Sequence, residues 1–182
     1  MSAAYDALRD QITDYARRWP AERAVAEQFL ALLDDPANPF VRERLEGHLT
    51  GGVWLVSRDG RRILMTHHRK LDRWLQLGGH ADGDTDMASV ALKEAEEESG
   101  LADLRVEGGI FDLDRHWIPE RRDVPGHWHY DVRYVIRAHG SEDYVVSEES
   151  LDLAWREIAP MVDDADASIS RMARKWLARN DA

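Results

Sequence analysis

Glu94, Glu97 and Glu98 stand at positions i, i+3 and i+4 of the run KEAEEESG, so a helix there gathers three carboxylates on one face. The same helix turns Val90, Ala91 and Ala95 towards an apolar neighbour. Three like charges at this spacing oppose both helix formation and their own ionisation. A hard divalent cation removes the conflict, because Mg²⁺ takes oxygen ligands and commonly bridges protein carboxylates to substrate phosphates. A Glu-rich run by itself also reads as the solvated face of an acidic helix. The surroundings therefore carry the argument: a glycine pair, Gly78-Gly79, lies upstream, and Gly100 is placed to end the helix.

The elements that must position these groups follow from periodicity. Residues 86–99 read as a helix, with Thr85 or Asp84 available as N-cap. Residues 53–57 and 61–68 read as two strands joined by a hairpin at Asp59-Gly60, and 74–77 as a short strand running into the glycine pair. Further strands are expected at 104–106, 109–117, 127–138 and 151–158. A closing helix at 169–177 carries Met172, Trp176 and Leu177 on its apolar stripe. Residues 2–35 show helical spacing in Tyr5, Leu8, Ile12 and Tyr15 and again in Val25, Phe29, Leu32 and Leu33, which predicts two helices broken near Pro20. The stretch PANP at 36–39 is a stop signal, and another short helix is expected over 40–49. The order of strands and flanking helices predicts an α/β sandwich. We divide the chain into an N-terminal helical extension, 1–48, and a main domain, 49–182; the amphipathic helices of the extension suggest a homodimer.

The segment from Gly79 to Leu101, GHADGDTDMASVALKEAEEESGL, resembles the Nudix box, G-x5-E-x7-R-E-U-x-E-E-x-G-U with U a bulky aliphatic residue, and keeps every spacing. Gly79 supplies the opening glycine, Glu94 the first helix glutamate, Glu97 and Glu98 the pair, Gly100 the stop and Leu101 the closing aliphatic. Three positions depart: the early glutamate falls on Thr85, the arginine on Lys93 and the central aliphatic on Ala95. In the family that glutamate and arginine form a structural pair, so here Lys93 is left to other partners, for which Asp84 and Asp86 are near in sequence. The resemblance implies an α/β/α sandwich around a mixed sheet. It also implies hydrolysis of a nucleoside diphosphate linked to another moiety, such as a sugar nucleotide or ADP-ribose. Mg²⁺ or Mn²⁺ would then be held by Glu94, Glu97 and Glu98 with a backbone carbonyl of Gly78 or Gly79. The general base would be Glu98, Glu97 or a later acid, of which Glu149 is the first candidate, with Glu148 and Glu120 behind it. Pyrophosphate removal from noncanonical or oxidised nucleoside triphosphates is the second enzymatic reading. A ligand-binding module without turnover is the reading from another class, against which the crowded acidic site argues.

Two further groups are candidates for the substrate pocket. Arg69, Lys70, Arg73 and Trp74 precede the glycine pair. Along the strand at 127–138, alternation sends His127, His129, Asp131 and Arg133 to one face, where a ligand or solvent would meet them. Trp128, Tyr130 and Val132 go to the other, apolar face. His80 follows Gly79 and reads either as a contact to metal or phosphate or as a turn histidine. His67 and His68 end a strand without other ligands in sequence, and Trp54, Trp117, Trp155 and Trp176 read as packing residues.

Composition narrows the classes. The 182 residues carry 24 Lys and Arg against 35 Asp and Glu, a net charge of -11, which repels long nucleic acid, so the expected partner is the small nucleotide that the resemblance implies. The chain has no cysteine, so disulfides, thiolate metal sites and a Cys nucleophile are excluded. The first twenty residues lack a basic start followed by an apolar run, and no apolar stretch is long enough to span a bilayer, so a cytoplasmic protein is expected.

Overall fold

The computed structural model describes residues 3–69, 71–121, 124–147 and 150–180. The chain runs α1 (Ala3–Arg18), α2 (Arg23–Asp34), β1 (Gly47–Val56), β2 (Arg62–His68), β3 (Arg73–Leu75), β4 (Gly78–His80), α3 (Met87–Ser99), β5 (Leu104–Val106), β6 (Asp112–Ile118), β7 (His127–Ala138), β8 (Ser150–Glu157) and α4 (Ala167–Asn180). The strands and helices expected beyond residue 50 are each present, with ends shifted by a few residues. Among the described residues no helix is long and apolar enough to cross a membrane.

α1 buries Leu8, Ile12 and Tyr15, which recur on one helical stripe, and a 3₁₀ turn at Pro20–Glu22 separates it from α2, which buries Ala26, Phe29, Leu32 and Leu33. The helix expected over 40–49 does not form: residues 39–46 turn, and β1 begins at Gly47. The reason is tertiary. β1 pairs in parallel with β7 along its whole length, from Gly47 opposite Trp128 to Val56 opposite Arg137, and a ten-residue ladder outweighs local helical preference.

The mixed sheet is built around β1 and β7. β5 and β6 lie antiparallel on the far side of β7, and β4 pairs antiparallel with β1. β2 follows β1 through the expected Asp59-Gly60 hairpin and carries β3 and β8. One face holds a large apolar cluster in which Leu8, Ile12 and Phe29 of the N-terminal helices meet Val53, Val90 and Val132. On the other, Trp54, Val56 and Val135 pack against Met172 and Trp176 of α4. The apolar stripes of α1 and α2, which the sequence leaves open to a second copy, are thus buried within the same chain. Trp54 and Trp176 are buried as expected, whereas Trp117 is half exposed at the solvent end of the β6–β7 hairpin and leans edge-on against Trp128.

Candidate functional site

α3 starts and stops on local chemistry. Asp86, rather than Thr85 or Asp84, is the N-cap: its carboxylate accepts from the Ala88 and Ser89 amides, which satisfies two of the helix's orphan donors. Asp84 in turn accepts from the Asp86 amide. Gly100 ends the helix in the left-handed conformation at φ 67° and donates its N–H to Glu96 O. Met87, Val90, Ala91, Ala95 and Ser99 are buried, so Glu94, Glu97 and Glu98 fall outside the apolar face, as their spacing requires.

The strand before the helix is shaped to approach these carboxylates. Gly79 pairs with Gly51, and a Cβ added at Gly79 would lie 2.4 Å from the Glu94 carboxyl carbon, so the glycine leaves that space to the acid. Gly78, at φ 152°, could carry no side chain, because a Cβ would meet Gly51 O at 2.5 Å. Its N–H donates to Glu98 Oε1 at 2.7 Å. Glu97 is exposed and stands 3.8 Å from Lys93. That pair answers where the Lys93 charge goes: to Glu97, one turn along, and not to Asp84 or Asp86. Arg42 grips Asp82 with two nitrogens (2.7 and 2.5 Å), which pins the loop between β4 and α3 to the turn before β1. Glu94 and Glu98 beside the glycine backbone offer oxygen donors of the kind a hard divalent cation takes, whereas Glu97 turns to Lys93, and the three side chains do not bring a ligand atom each within 4.8 Å of one another.

The other sequence candidates separate. Alternation turns His80 away from α3, to the opposite face of the sheet, because its neighbour Gly79 faces Glu94. Arg73 pairs with Asp166 at 2.6 Å, and Trp74 stacks on His67 and lies under Arg156, so the described partners of both lie outside α3. His67 holds Asp72 at 2.9 Å. Glu120 is exposed just after β6. Lys70, Glu148 and Glu149 lie outside the described residues.

The polar face of β7 corrects the sequence reading most. His129, Asp131 and Arg133 share a face, but Arg133 is 2% exposed and lies against Met172 of α4. Its guanidinium reaches Asp112 (3.2 Å), Asp114 (3.3 Å) and Asp131 (3.1 Å), while the Thr50 hydroxyl donates to Asp131. Asp112, fully buried on β6, also accepts from Arg171 (2.9 and 2.7 Å) and Lys175 (2.7 Å), and Lys175 reaches Glu22 and the Tyr15 hydroxyl. Burial works against the Asp112 charge, but the Arg171 hydrogen bonds and the Arg133 and Lys175 charges outweigh it and hold its pKa below the ordinary value. Burial, then Asp112 and Glu22, push the Tyr15 hydroxyl up. The sequence reading named Asp131 and Arg133 of this network but not their partners, for which the alternation of Asp112, Asp114 and His116 along β6 was a visible signal.

Beyond Arg133 the same face carries His48, His80, His127 and His129, of which only His48 was not singled out in the sequence. Burial, then the charges of Arg42 and His48, pull His80 down to about 4. Burial, then the neighbouring histidines, pull His129 down to about 2. Both are therefore neutral at pH 7.

The family model describing the NUDIX domain matches residues 48–177. Among solved structures, the fold is similar to a C. elegans Ap4A hydrolase binary complex, at 17% identity over 73% of this chain and 97% of that one, with TM-score 0.56. It is also similar to the MutT protein from Methanosarcina mazei Go1, at 14% identity over 76% and 99%, TM-score 0.57. A third is the E. coli dihydroneopterin triphosphate pyrophosphohydrolase, at 15% identity over 72% and 95%, TM-score 0.57. Among curated proteins none matches the sequence.

Proposed function

We propose that this chain, which belongs to the Nudix family of hydrolases acting on phosphoric anhydride bonds, cleaves a nucleoside diphosphate linked to another moiety, of the sugar-nucleotide or ADP-ribose type. The products are a nucleoside monophosphate and a phosphorylated remainder. The observation that carries this reading is the seat of the acids: Glu94 occupies the space that Gly79 leaves, and Glu98 is held by the Gly78 amide.

Glu94, Glu97 and Glu98, with a carbonyl of Gly78 or Gly79, would hold Mg²⁺ or Mn²⁺, which when bound supplies neutralisation of phosphate charge and acidification of water. The chain's own part is positioning and proton transfer. One Glu98 oxygen is tethered to a backbone amide, so its carboxylate has a set orientation at the sheet edge. Glu98 takes the proton of the attacking water as the new P–O bond forms and the bridging P–O bond breaks. Glu97 and the acid at position 149 are the alternatives for that step. A net charge of -11 disfavours a polyanion, so the substrate is small.

The second reading is pyrophosphate removal from a nucleoside triphosphate. It is supported by the likeness to a dihydroneopterin triphosphate pyrophosphohydrolase. The test is turnover of nucleoside triphosphates, sugar nucleotides, ADP-ribose and dinucleoside polyphosphates with Mg²⁺ or Mn²⁺, with product identification, for wild type and Glu98→Gln. Two phosphomonoesters from a sugar nucleotide or ADP-ribose, lost in the variant, support the first reading. Inorganic pyrophosphate from a triphosphate supports the second. No turnover of any member by wild type would sink both and favour a binding module.

A further inference from the structure

On the sheet face turned away from α3, three strands bring histidines side by side. His48 of β1 is paired in register with His129 of β7, and His80 of β4 is paired with Thr50, two residues along β1 from His48. The ring centroids form a near-equilateral triangle: 5.2 Å from His48 to His80, 5.0 Å from His48 to His129 and 5.1 Å from His80 to His129. One ligating nitrogen from each ring lies within 4.8 Å of the other two.

A second observation points to a ligand. His48 is 2% exposed, and its Nδ1 faces the Arg44 carbonyl oxygen at 3.2 Å, which can only accept. Nδ1 therefore carries the proton and Nε2 presents a bare lone pair. That Nε2 is buried and has no hydrogen-bond partner among the described residues. Buried polar atoms are rarely left this way. A histidine that donates one nitrogen to a backbone carbonyl and offers the other to a shared space has the arrangement usual for a metal ligand.

The neighbours agree. His127 donates Nδ1–H to the Pro125 carbonyl oxygen at 2.9 Å, and its Nε2 stands 3.1 Å from His129 Nε2. Either His129 Nε2 carries the proton and leaves Nδ1 bare, or both lone pairs face one ion; in each case His129 keeps a nitrogen to give. A second group of metal-capable side chains, His116, His129 and Asp131, shares His129. Its carboxylate is already engaged by Thr50 and Arg133, and His116 is turned to Asp114 at 3.2 Å, so the three imidazoles are the better set.

We propose that His48, His80 and His129 bind a first-row transition-metal ion, with Zn²⁺ as the expected occupant, at a centre distinct from the α3 carboxylates. Three neutral imidazoles suit Zn²⁺ in tetrahedral geometry and leave a fourth position for water or a substrate oxygen. They do not suit Mg²⁺, which demands oxygen. His80 and Gly79 are adjacent yet face opposite sides of β4. One short strand thus separates a nitrogen centre from an oxygen centre, and each selects its ion by ligand type.

The test uses the full chain without a polyhistidine tag. After chelator treatment and dialysis it is titrated with Zn²⁺ in excess Mg²⁺, followed by calorimetry. Wild type should bind one equivalent, His48→Gln and His129→Gln should each lose it, and Glu98→Gln should keep it. Because His48 is buried, each variant is checked for native far-UV circular dichroism. Wild type loaded with Co²⁺ supplies a measure that needs no variant: a nitrogen-rich four-coordinate site gives intense visible bands, whereas an oxygen-rich six-coordinate site gives weak ones. The proposal is overturned if wild type binds no Zn²⁺, if both histidine variants retain the equivalent, if Glu98→Gln loses it, or if the Co²⁺ bands are weak. Failure of hydrolysis in the substrate panel would not bear on any of these results.

Discussion

The molecule holds two groups of three carboxylates, one on each face of the sheet, and they are built in opposite ways. Asp112, Asp114 and Asp131 lie inside, met by Arg133, Arg171 and Lys175 of the same chain. Glu94 and Glu98 lie at the sheet edge against glycine backbone, and Glu97 stands exposed at 3.8 Å from Lys93. An exposed pair of that kind contributes about 0.3 to 0.5 kcal/mol. The inner group carries its counter-ions in the fold and joins α1, β6, β7 and α4. The outer group is arranged around space and backbone, as a site for an ion and an anionic substrate is. The same residue chemistry is therefore either locked among buried cations or presented beside glycine backbone at a sheet edge, according to where the fold puts it.

That contrast can be broken by mutation, because loss in the outer group should fall on turnover and loss in the inner group on stability. Glu98→Gln should lower metal-dependent turnover about 10² to 10⁴-fold and leave the urea midpoint unchanged; an equal loss of stability would erase the distinction. Asp112→Ala should destabilise by about 3 to 5 kcal/mol, since Arg133, Arg171 and Lys175 all lose the fully buried carboxylate they share. Urea unfolding measures it, and a change under about 1 kcal/mol would show the network to be ornamental.

Acid should act on the inner group in the same direction. Asp112, faced by Arg133, Arg171, Lys175 and the Tyr15 hydroxyl, has a folded pKa held below its unfolded value of about 3.9. Its contribution is therefore present above that value and is lost as pH falls through the folded pKa. Thermal midpoints measured from about pH 7 down to about pH 2 should fall below about pH 4, and the fall should be shallower in Asp112→Asn. Gly79→Ala should cost about 10²-fold in turnover with little loss of stability, because its Cβ displaces the Glu94 carboxylate. Unchanged kinetics would mean that Glu94 need not sit there. The smallest effect is expected from Asp86→Ala, about 1 kcal/mol from loss of the helix cap. It is read by urea unfolding, and a loss of several kcal/mol would place the loop before α3 among the architectural elements.

Much of the outer site was legible because its physics is local. Spacing along one helix puts Glu94, Glu97 and Glu98 on one side, and Gly100 stops that helix in the conformation glycine favours. The Asp59-Gly60 hairpin and the strand at β7 were readable for the same reason. The N-cap was misplaced by one residue, since Asp84, Thr85 and Asp86 all have capping side chains and only the backbone path chooses among them. Residues 40–49 were misread because their partner in pairing lies in β7, far along the chain.

The sequence by itself determined the acidic helix with its stop, the places of the strands along the chain and the absence of thiol chemistry, each a matter of composition or of neighbours within a few residues. Only the tertiary structure decided that Arg133 lies buried against Met172 of α4, that Asp131 is buried beside it, and that His48, His80 and His129 meet. Strand alternation tells which side chains share a face, but not whether a helix covers that face or which strands lie next to one another. Those depend on long-range pairing and on burial, which no short window of sequence contains.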